Sequence, residues 1–171
     1  MNAVSIRVRC RAVASLSLLL FVCAVGAGEP RYVDAVRVDK ADRRLYLLQG
    51  GDVVREYVIS LGDAPVGHKR QRGDERTPEG TYTIDYRNPK SRYHLSLHIT
   101  YPNPQDRQAA RRRGVNPGGD IFIHGLPNGM EMFAPWFRRH DWTDGCIAVD
   151  NEAIEEIWQR VRDGTPIEIR P

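Results

Sequence analysis

Cys146 and His124 are the two side chains in this sequence whose types and surroundings best suit covalent catalysis. Cys146 follows Gly145, which has no side chain to block a substrate, and an accessible thiol can attack a carbonyl carbon. A thiol is mostly protonated at neutral pH, so fast acyl transfer needs a neighbouring base. The imidazole of His124 can be that base because it accepts a proton near neutral pH. We therefore expect a cysteine–histidine pair that transfers acyl groups.

The residues next to this pair fit the same chemistry. The carbonyl of Gly125 can orient the His124 ring through its second nitrogen, and the backbone N–H groups of Gly145 and Cys146 can converge on a developing oxyanion. The alternative for Cys146 is a structural role as a small buried hydrophobic residue.

The other histidines are weaker candidates. His140 lies closer to Cys146 in sequence, but it follows two arginines, which is typical of a solvated loop tip. His94 and His98 share one face of a predicted strand at about 13 Å separation, too far to bind one metal ion directly. CxxC and HExxH spacings are absent from the sequence. We expect neither a metal nor another cofactor.

Alternating apolar residues predict that β-strands position the cysteine and the histidine. The predicted strands cover residues 33–38, 45–48, 53–61, 80–86, 93–100, 121–123 and 167–169. Gly50-Gly51 marks a hairpin turn between the second and third strands, and the sixth strand leads directly into His124. Residues 62–76, rich in glycine and charge, are typical of an exposed loop.

Two helices and one unusual connection accompany the strands. A short polar helix is predicted at 105–113 and a packed C-terminal helix at 151–161, where Ile154, Ile157 and Val161 follow helical spacing. Segment 126–142 is dense in large apolar residues, so we expect a lid loop that folds over a groove. The expected fold class is mainly β (α+β), with one helix packed on the strands.

The first 28 residues have the pattern of a secretory signal peptide. Three arginines precede an apolar run at 12–25, which is shorter than a typical membrane span, and an uncleaved anchor is the alternative. Residues 29–171 are expected to form one catalytic domain with Cys146 as its only cysteine. Without the signal, 25 basic and 22 acidic residues become 22 of each, which argues against nucleic-acid binding. Membrane contact is expected only during export.

Basic residues cluster at two places in the sequence. Arg107 and residues 111–113 lie on the short helix, and Arg87, Lys90 and Arg92 precede the strand at 93–100. Such clusters are either solvated faces or sites that recognise the carboxylates of a peptide substrate.

The run Ile121-Phe122-Ile123-His124-Gly125, followed by Thr143-x-Gly145-Cys146-Ile147, resembles the signature of the YkuD-fold L,D-transpeptidases, most closely their YafK-like branch. Residues 73–82 and Tyr101-Pro102-Asn103 are similar to other landmarks of that family. The resemblance implies a β-sandwich-like catalytic domain in the periplasm or cell envelope. It also implies a thioacyl-enzyme formed on a peptidoglycan stem peptide at diaminopimelate. By this resemblance Cys146 is the nucleophile, His124 the base, Gly125 the orienting carbonyl and Gly145 an oxyanion amide.

Two departures from the family pattern leave the acyl acceptor open. Asp144 stands where the family has histidine, and Ala148 where a polar residue is frequent. An amine acceptor would make the protein an L,D-transpeptidase. Water would make it an exported hydrolase, either an L,D-carboxypeptidase or an amidase that releases a wall-linked lipoprotein. A non-catalytic wall-binding module is the third alternative. The expected substrate contacts are Thr143, Asp144, Arg107 and Trp142.

Overall fold

The computed structural model describes residues 32–171, so the expected signal segment lies outside the described residues. Eight strands form one mixed sheet in the order β3-β2-β1-β8-β4-β5-β6-β7. The strands are β1 (Ala35–Asp39), β2 (Arg44–Gln49), β3 (Asp52–Val58), β4 (Gly80–Ser91), β5 (His94–Ile99), β6 (Ile121–His124), β7 (Ile147–Ala148) and β8 (Thr165–Arg170). The helices are α1 (Pro104–Arg113), α2 (Ala134–Phe137) and α3 (Asn151–Arg160).

Alternation along the strands buries one face of the sheet. Val36 and Val38 of β1 are buried, and they lie opposite Ile167 and Ile169 of β8 in a parallel register. β1 pairs with β2 in antiparallel orientation, and β8 pairs with β4 in the same orientation. Because successive side chains point to opposite faces, this register places the alternate apolar residues of β1, β2 and β8 in one core, whereas β3 contributes only the partly buried Val54 and Tyr57.

The two outer strands of the sheet are joined by a short bridge. Ser60, which follows β3, exchanges two backbone hydrogen bonds of 2.9 Å with Ala148 of β7. The sheet therefore curls around its core and brings its first and last strands together. The prediction of a mainly β fold is confirmed.

Helix α3 packs on this core as predicted. Ile154 and Ile157 are fully buried against it, and Val161 follows directly after the helix in the same core. Helix α1 also lies where the sequence predicts it. Asn103 caps its N-terminus in a capping box with Asp106, and Gly114 ends it in the left-handed conformation at φ 68°.

The prediction of a lid loop at 126–142 is wrong in two respects, the conformation of the segment and its position relative to the cleft. The segment contains a 3-10 turn at Glu131–Phe133 followed by α2. Phe137 is buried, but Met132 is 80% exposed and Trp136 is 51% exposed. Of this segment only Trp142 lines the cleft that holds Cys146.

No helix within residues 32–171 has the length and apolar character needed to cross a membrane.

Candidate active site

The parallel pairing of β6 with β7 brings His124 and Cys146 to one face of the sheet. His124 lies opposite Ala148 in the register, and Cys146 precedes Ala148 by two residues. Residues two apart on an extended chain point to the same side, so both side chains emerge together. They line one open cleft of about 950 Å³. Its wall also includes Lys69, Arg72, Lys90, Arg92, Tyr93 and Asp144.

The His124 imidazole is buried and held in one orientation. The residue is 3% exposed, its ring centroid lies 4.5 Å from that of Tyr93, and Trp142 packs edge-on at 5.6 Å. Nδ1 lies 2.7 Å from the carbonyl oxygen of Gly125. Because a carbonyl can only accept, Nδ1 carries the proton and Nε2 keeps its lone pair. Burial lowers the pKa of His124 to about 4, against the opposing effect of the Gly125 carbonyl.

The Cys146 thiol is neutral for the same reason. Burial of the sulfur raises the pKa of Cys146 to about 11, while the backbone N–H of Phe122 acts in the opposite direction. The charge of Asp144 adds to the increase in this pKa. Sγ donates weakly to the carbonyl oxygen of Asp120 at 3.6 Å. At neutral pH the cleft therefore contains a thiol and an imidazole, both uncharged, rather than an ion pair.

Thr143 folds the turn that carries the thiol. Its hydroxyl donates to the carbonyl of Cys146 at 2.8 Å and accepts the N–H of Gly145 at 3.1 Å. Thr143, which we expected to contact substrate, therefore uses its hydroxyl within the turn. The Gly145 amide, which we expected to stabilise an oxyanion, already donates to Thr143 and is not free for that role in this arrangement.

The backbone of segment 62–76 packs directly on this turn. Gly145 has φ 122°, and a Cβ there would lie 2.4 Å from the carbonyl oxygen of Arg76. A Cβ on Gly62 would lie 2.0 Å from the carbonyl oxygen of Glu75. Only glycine allows such close contact between the two chain segments. The segment is a partly exposed loop, in agreement with the predicted loop, but no residue pattern in it indicated that it supports the nucleophile.

The same segment supplies groups to the cleft that sequence reasoning missed. Lys69 is 3% exposed and forms an ion pair of 2.8 Å with Asp74. Arg72 lines the cleft with an exposed side chain. Tyr93 is the other missed residue. We expected it to begin a strand, but β5 begins at His94, which has φ 63°, and Tyr93 contacts the catalytic candidate His124 instead.

The remaining predicted site residues divide between the cleft and other surfaces. Asp144 and Trp142 line the cleft, and Asp144 has no hydrogen bond or ion pair within the described chain. Arg107 lies on the exposed surface of α1, where it donates to the carbonyl of Pro102, and it does not line the cleft. His140 donates to the carbonyl of Trp136 and stacks on that ring outside the cleft, so it is not placed to act as the base.

The other two histidines form ion pairs on the surface. His94 lies 2.7 Å from Glu155, and His98 lies 2.6 Å from Asp85. Residues 32–171 contain no group of three or more side chains arranged to bind a metal ion.

Comparison with known proteins places these observations in a family. The model of the YkuD L,D-transpeptidase catalytic domain matches residues 34–169. The protein YafK of Escherichia coli (strain K12), whose name assigns an L,D-transpeptidase activity only provisionally, is 28% identical over 138 residues, which cover 78% of this chain and 48% of YafK. The chain thus spans about half the length of this relative.

Solved structures agree with this match. The helical cell shape determining protein Pgp2 from Campylobacter jejuni is 30% identical with a TM-score of 0.60, over 79% of this chain and 46% of that one. Bd1075 of Bdellovibrio bacteriovorus is 29% identical with a TM-score of 0.54, over 81% and 47%. An L,D-transpeptidase from Mycobacterium smegmatis, 15% identical with a TM-score of 0.53 over 80% and 58%, shares the fold.

Proposed function

Because this chain belongs to the YkuD family of L,D-transpeptidase catalytic domains, we propose that it transfers acyl groups on peptidoglycan stem peptides, with Cys146 as the nucleophile. The observation that carries the proposal is a thiol and a buried imidazole in one cleft, with the imidazole Nε2 unprotonated. The name of Pgp2, a helical cell shape determining protein, supports a role at the cell wall. The same proposal includes export of the protein to the periplasm or cell envelope.

The reaction follows from the neutral state of the two groups. Sγ of Cys146 bonds to the carbonyl carbon of a diaminopimelate residue in the stem peptide, while Nε2 of His124 takes the thiol proton. The tetrahedral intermediate then breaks its C–N bond, and the departing amine leaves with the proton from the imidazole. The product of this half-reaction is a thioacyl-enzyme.

The second half-reaction returns the enzyme to its starting state. An acceptor adds to the thioester carbon and gives its proton to the imidazole. The C–S bond breaks, and the imidazole returns the proton to the sulfur. The Gly125 carbonyl holds the ring in the tautomer that both steps need, since it fixes the proton on Nδ1.

Asp144 is placed to contact either of two acyl acceptors, so a second candidate function stands alongside transpeptidation. Its carboxylate is exposed in the cleft beside the thiol, with no partner among residues 32–171. A free carboxylate there can accept a hydrogen bond from an acceptor ammonium or from water. An amine acceptor gives the L,D-transpeptidase reaction. Water gives a hydrolase, which as an L,D-carboxypeptidase trims stem peptides or as an amidase releases a wall-linked lipoprotein.

Product masses separate these alternatives. We expect the protein to convert tetrapeptide muropeptides into cross-linked dimers if the acceptor is an amine, and into shortened or released peptides if it is water. Cys146→Ala should abolish turnover and leave the circular dichroism spectrum unchanged, because the hydrogen bond from the thiol to the Asp120 carbonyl is weak at 3.6 Å. Intact-protein mass should show an acyl adduct on the wild type alone. Full turnover by Cys146→Ala would disprove the mechanism, and sacculus binding without turnover or adduct by the wild type would support a non-catalytic module.

A further inference from the structure

Basic side chains in this domain fall into two groups according to their partners. Away from the cleft, most are paired with a carboxylate within 4.0 Å. These pairs are Lys40 with Glu79, Arg43 with Asp141, Arg44 with Glu56, Arg87 with Asp163, Arg138 with Asp150 and Arg170 with Glu168. Arg37 and Arg162 instead lie over aromatic rings.

The cations without an acidic partner are concentrated in segment 62–76, around the turn between β4 and β5, and on α1. Within residues 32–171 they are Arg70, Arg72, Arg76, Lys90, Arg92, Arg107, Arg111, Arg112 and Arg113, and outside this set only Arg139 and the two arginines that lie over aromatic rings lack a carboxylate partner. The whole sequence has 25 basic and 22 acidic residues, so this concentration is local and not a general property of the chain.

Part of this group forms a continuous surface from α1 to the cleft. Arg113 donates to the carbonyl oxygen of Arg70 at 3.2 Å, and the backbone N–H of Arg72 donates to the carbonyl oxygen of Asn116 at 2.8 Å. Arg72 itself lines the cleft. We call this surface the basic ridge, formed by Arg70, Arg72, Arg111, Arg112 and Arg113.

Stabilisation of α1 accounts for only some of the basic residues in the ridge. Basic residues in the last turn of α1 interact favourably with the partial negative charge at its C-terminus. That effect does not extend to Arg72, nor to Lys90 and Arg92, which also line the cleft without acidic partners in the described chain. The cations of the ridge and of the cleft together extend beyond the cleft itself.

We propose that the basic ridge binds carboxylates of a peptide-bearing wall polymer outside the cleft and so directs that polymer to Cys146. The inference rests on the proposed function, because the stem peptides of such a polymer carry free carboxylates. Guanidinium groups suit this ligand, since each presents a fork of donors to a carboxylate. The groups are exposed, so each contact is weak and screened by salt, and binding depends on several of them acting together.

Binding to sacculi tests the proposal without requiring turnover. All proteins carry Cys146→Ala, and cosedimentation with purified sacculi is measured at 20 and 300 mM salt. We expect Arg111→Gln with Arg112→Gln to weaken binding roughly fivefold at low salt, from two exposed charge contacts. The matched control is Arg44→Gln with Arg170→Gln, which removes the same charge from exposed, ion-paired positions. It should bind like the parent protein.

Two further binding measurements identify the chemical group that the ridge binds. Sacculi whose carboxyl groups are amidated should bind the parent and the Arg111/Arg112 variant equally. Vesicles that contain anionic phospholipid should bind neither protein appreciably. The proposal is overturned if the control variant loses as much binding as the ridge variant, if amidation leaves their difference intact, or if the ridge mutations affect vesicles rather than sacculi. Because the assay excludes turnover, a failure of the proposed acyl transfer would leave these outcomes interpretable.

Discussion

Replacing His124 with Asn should remove the part of the stability loss at low pH that comes from this histidine. Burial lowers the pKa of His124 from 6.5 to about 4 in the folded protein. The unfolded chain therefore binds more protons than the folded one between these two values. It follows that the free energy of unfolding is at its full value above pH 6.5 and falls as the pH falls toward 4. The full loss is about 3 kcal/mol, of which about 2.5 kcal/mol occurs between pH 7.5 and 4.5.

Asparagine is the informative substitution because its amide can still donate to the Gly125 carbonyl, yet it does not titrate. Urea unfolding at pH 7.5 and 4.5 gives the free energy of unfolding of each protein. Other groups titrate equally in both proteins, so their effect cancels in the difference between wild type and His124→Asn. That difference should change by about 2.5 kcal/mol in favour of the variant at the lower pH.

Cys146→Ala is the control from the same cleft. Burial raises the pKa of Cys146 to about 11, so the thiol stays protonated throughout this range and its removal should leave the wild-type pH dependence intact. Parallel pH dependences of wild type and His124→Asn, within about 0.5 kcal/mol, would show that the imidazole is not buried in its neutral form. The proton-transfer scheme proposed for the reaction would then lose its basis.

Three further outcomes follow from the same cleft. Gly145→Ala should lower the free energy of unfolding by about 3 kcal/mol in urea unfolding, because its Cβ would lie 2.4 Å from the Arg76 carbonyl oxygen. The control Gly129→Ala, at φ 81° with open space around it, should lower it by only about 1 kcal/mol. Equal losses in the two variants would contradict the contact between Gly145 and Arg76. Thr143→Val should lower the free energy of unfolding by about 1–3 kcal/mol and slow the alkylation of Cys146 by iodoacetamide, because it leaves two backbone groups of the turn unpaired. Thr143→Ser keeps the hydroxyl, so it should restore both the stability and the alkylation rate. The acid limb of kcat/KM on muropeptides should lie near pH 4, where the buried imidazole becomes protonated, and a limb near 6.5 would contradict its low pKa.

The strands and long helices were predictable because burial imposes a period on the sequence. In β8 the pattern of buried and exposed residues alternates strictly, and only one register places Ile167 and Ile169 in the core. The order of strands was not predictable in this way. β8 lies between β1 and β4, and that placement depends on contacts between distant parts of the chain.

The expected lid shows the limit of composition as evidence. Large apolar residues at 126–142 indicated a covering segment, but the 3-10 turn and α2 direct Met132 and Trp136 to solvent. Composition reports how much apolar surface a segment carries, whereas the local backbone decides which way that surface faces. Within this segment only Trp142, which follows the helical part, packs on the His124 imidazole.

The candidate pair could be inferred from residue types, but its support could not. Cys146 and His124 each lie at the boundary of a short strand, next to a loop. The occupation of the Gly145 amide by Thr143 depends on a φ of 122°, which no pattern of residue types encodes. The same is true of the contact between Gly145 and the Arg76 carbonyl, which joins residues far apart in sequence.

In the cleft, the two groups proposed to exchange a proton are neutral, and the charged side chains lie elsewhere on its wall. Burial keeps both His124 and Cys146 neutral, so the proposed reaction starts from two uncharged groups and not from an ion pair. Cations such as Arg72 and Arg92 lie on the wall, where water screens them and they perturb the buried pair little. A cation moved next to the imidazole would lower its pKa further, and a carboxylate there would raise it. Under the two proposals, this arrangement would let the protein bind an anionic polymer without changing the protonation states that the proposed acyl transfer requires.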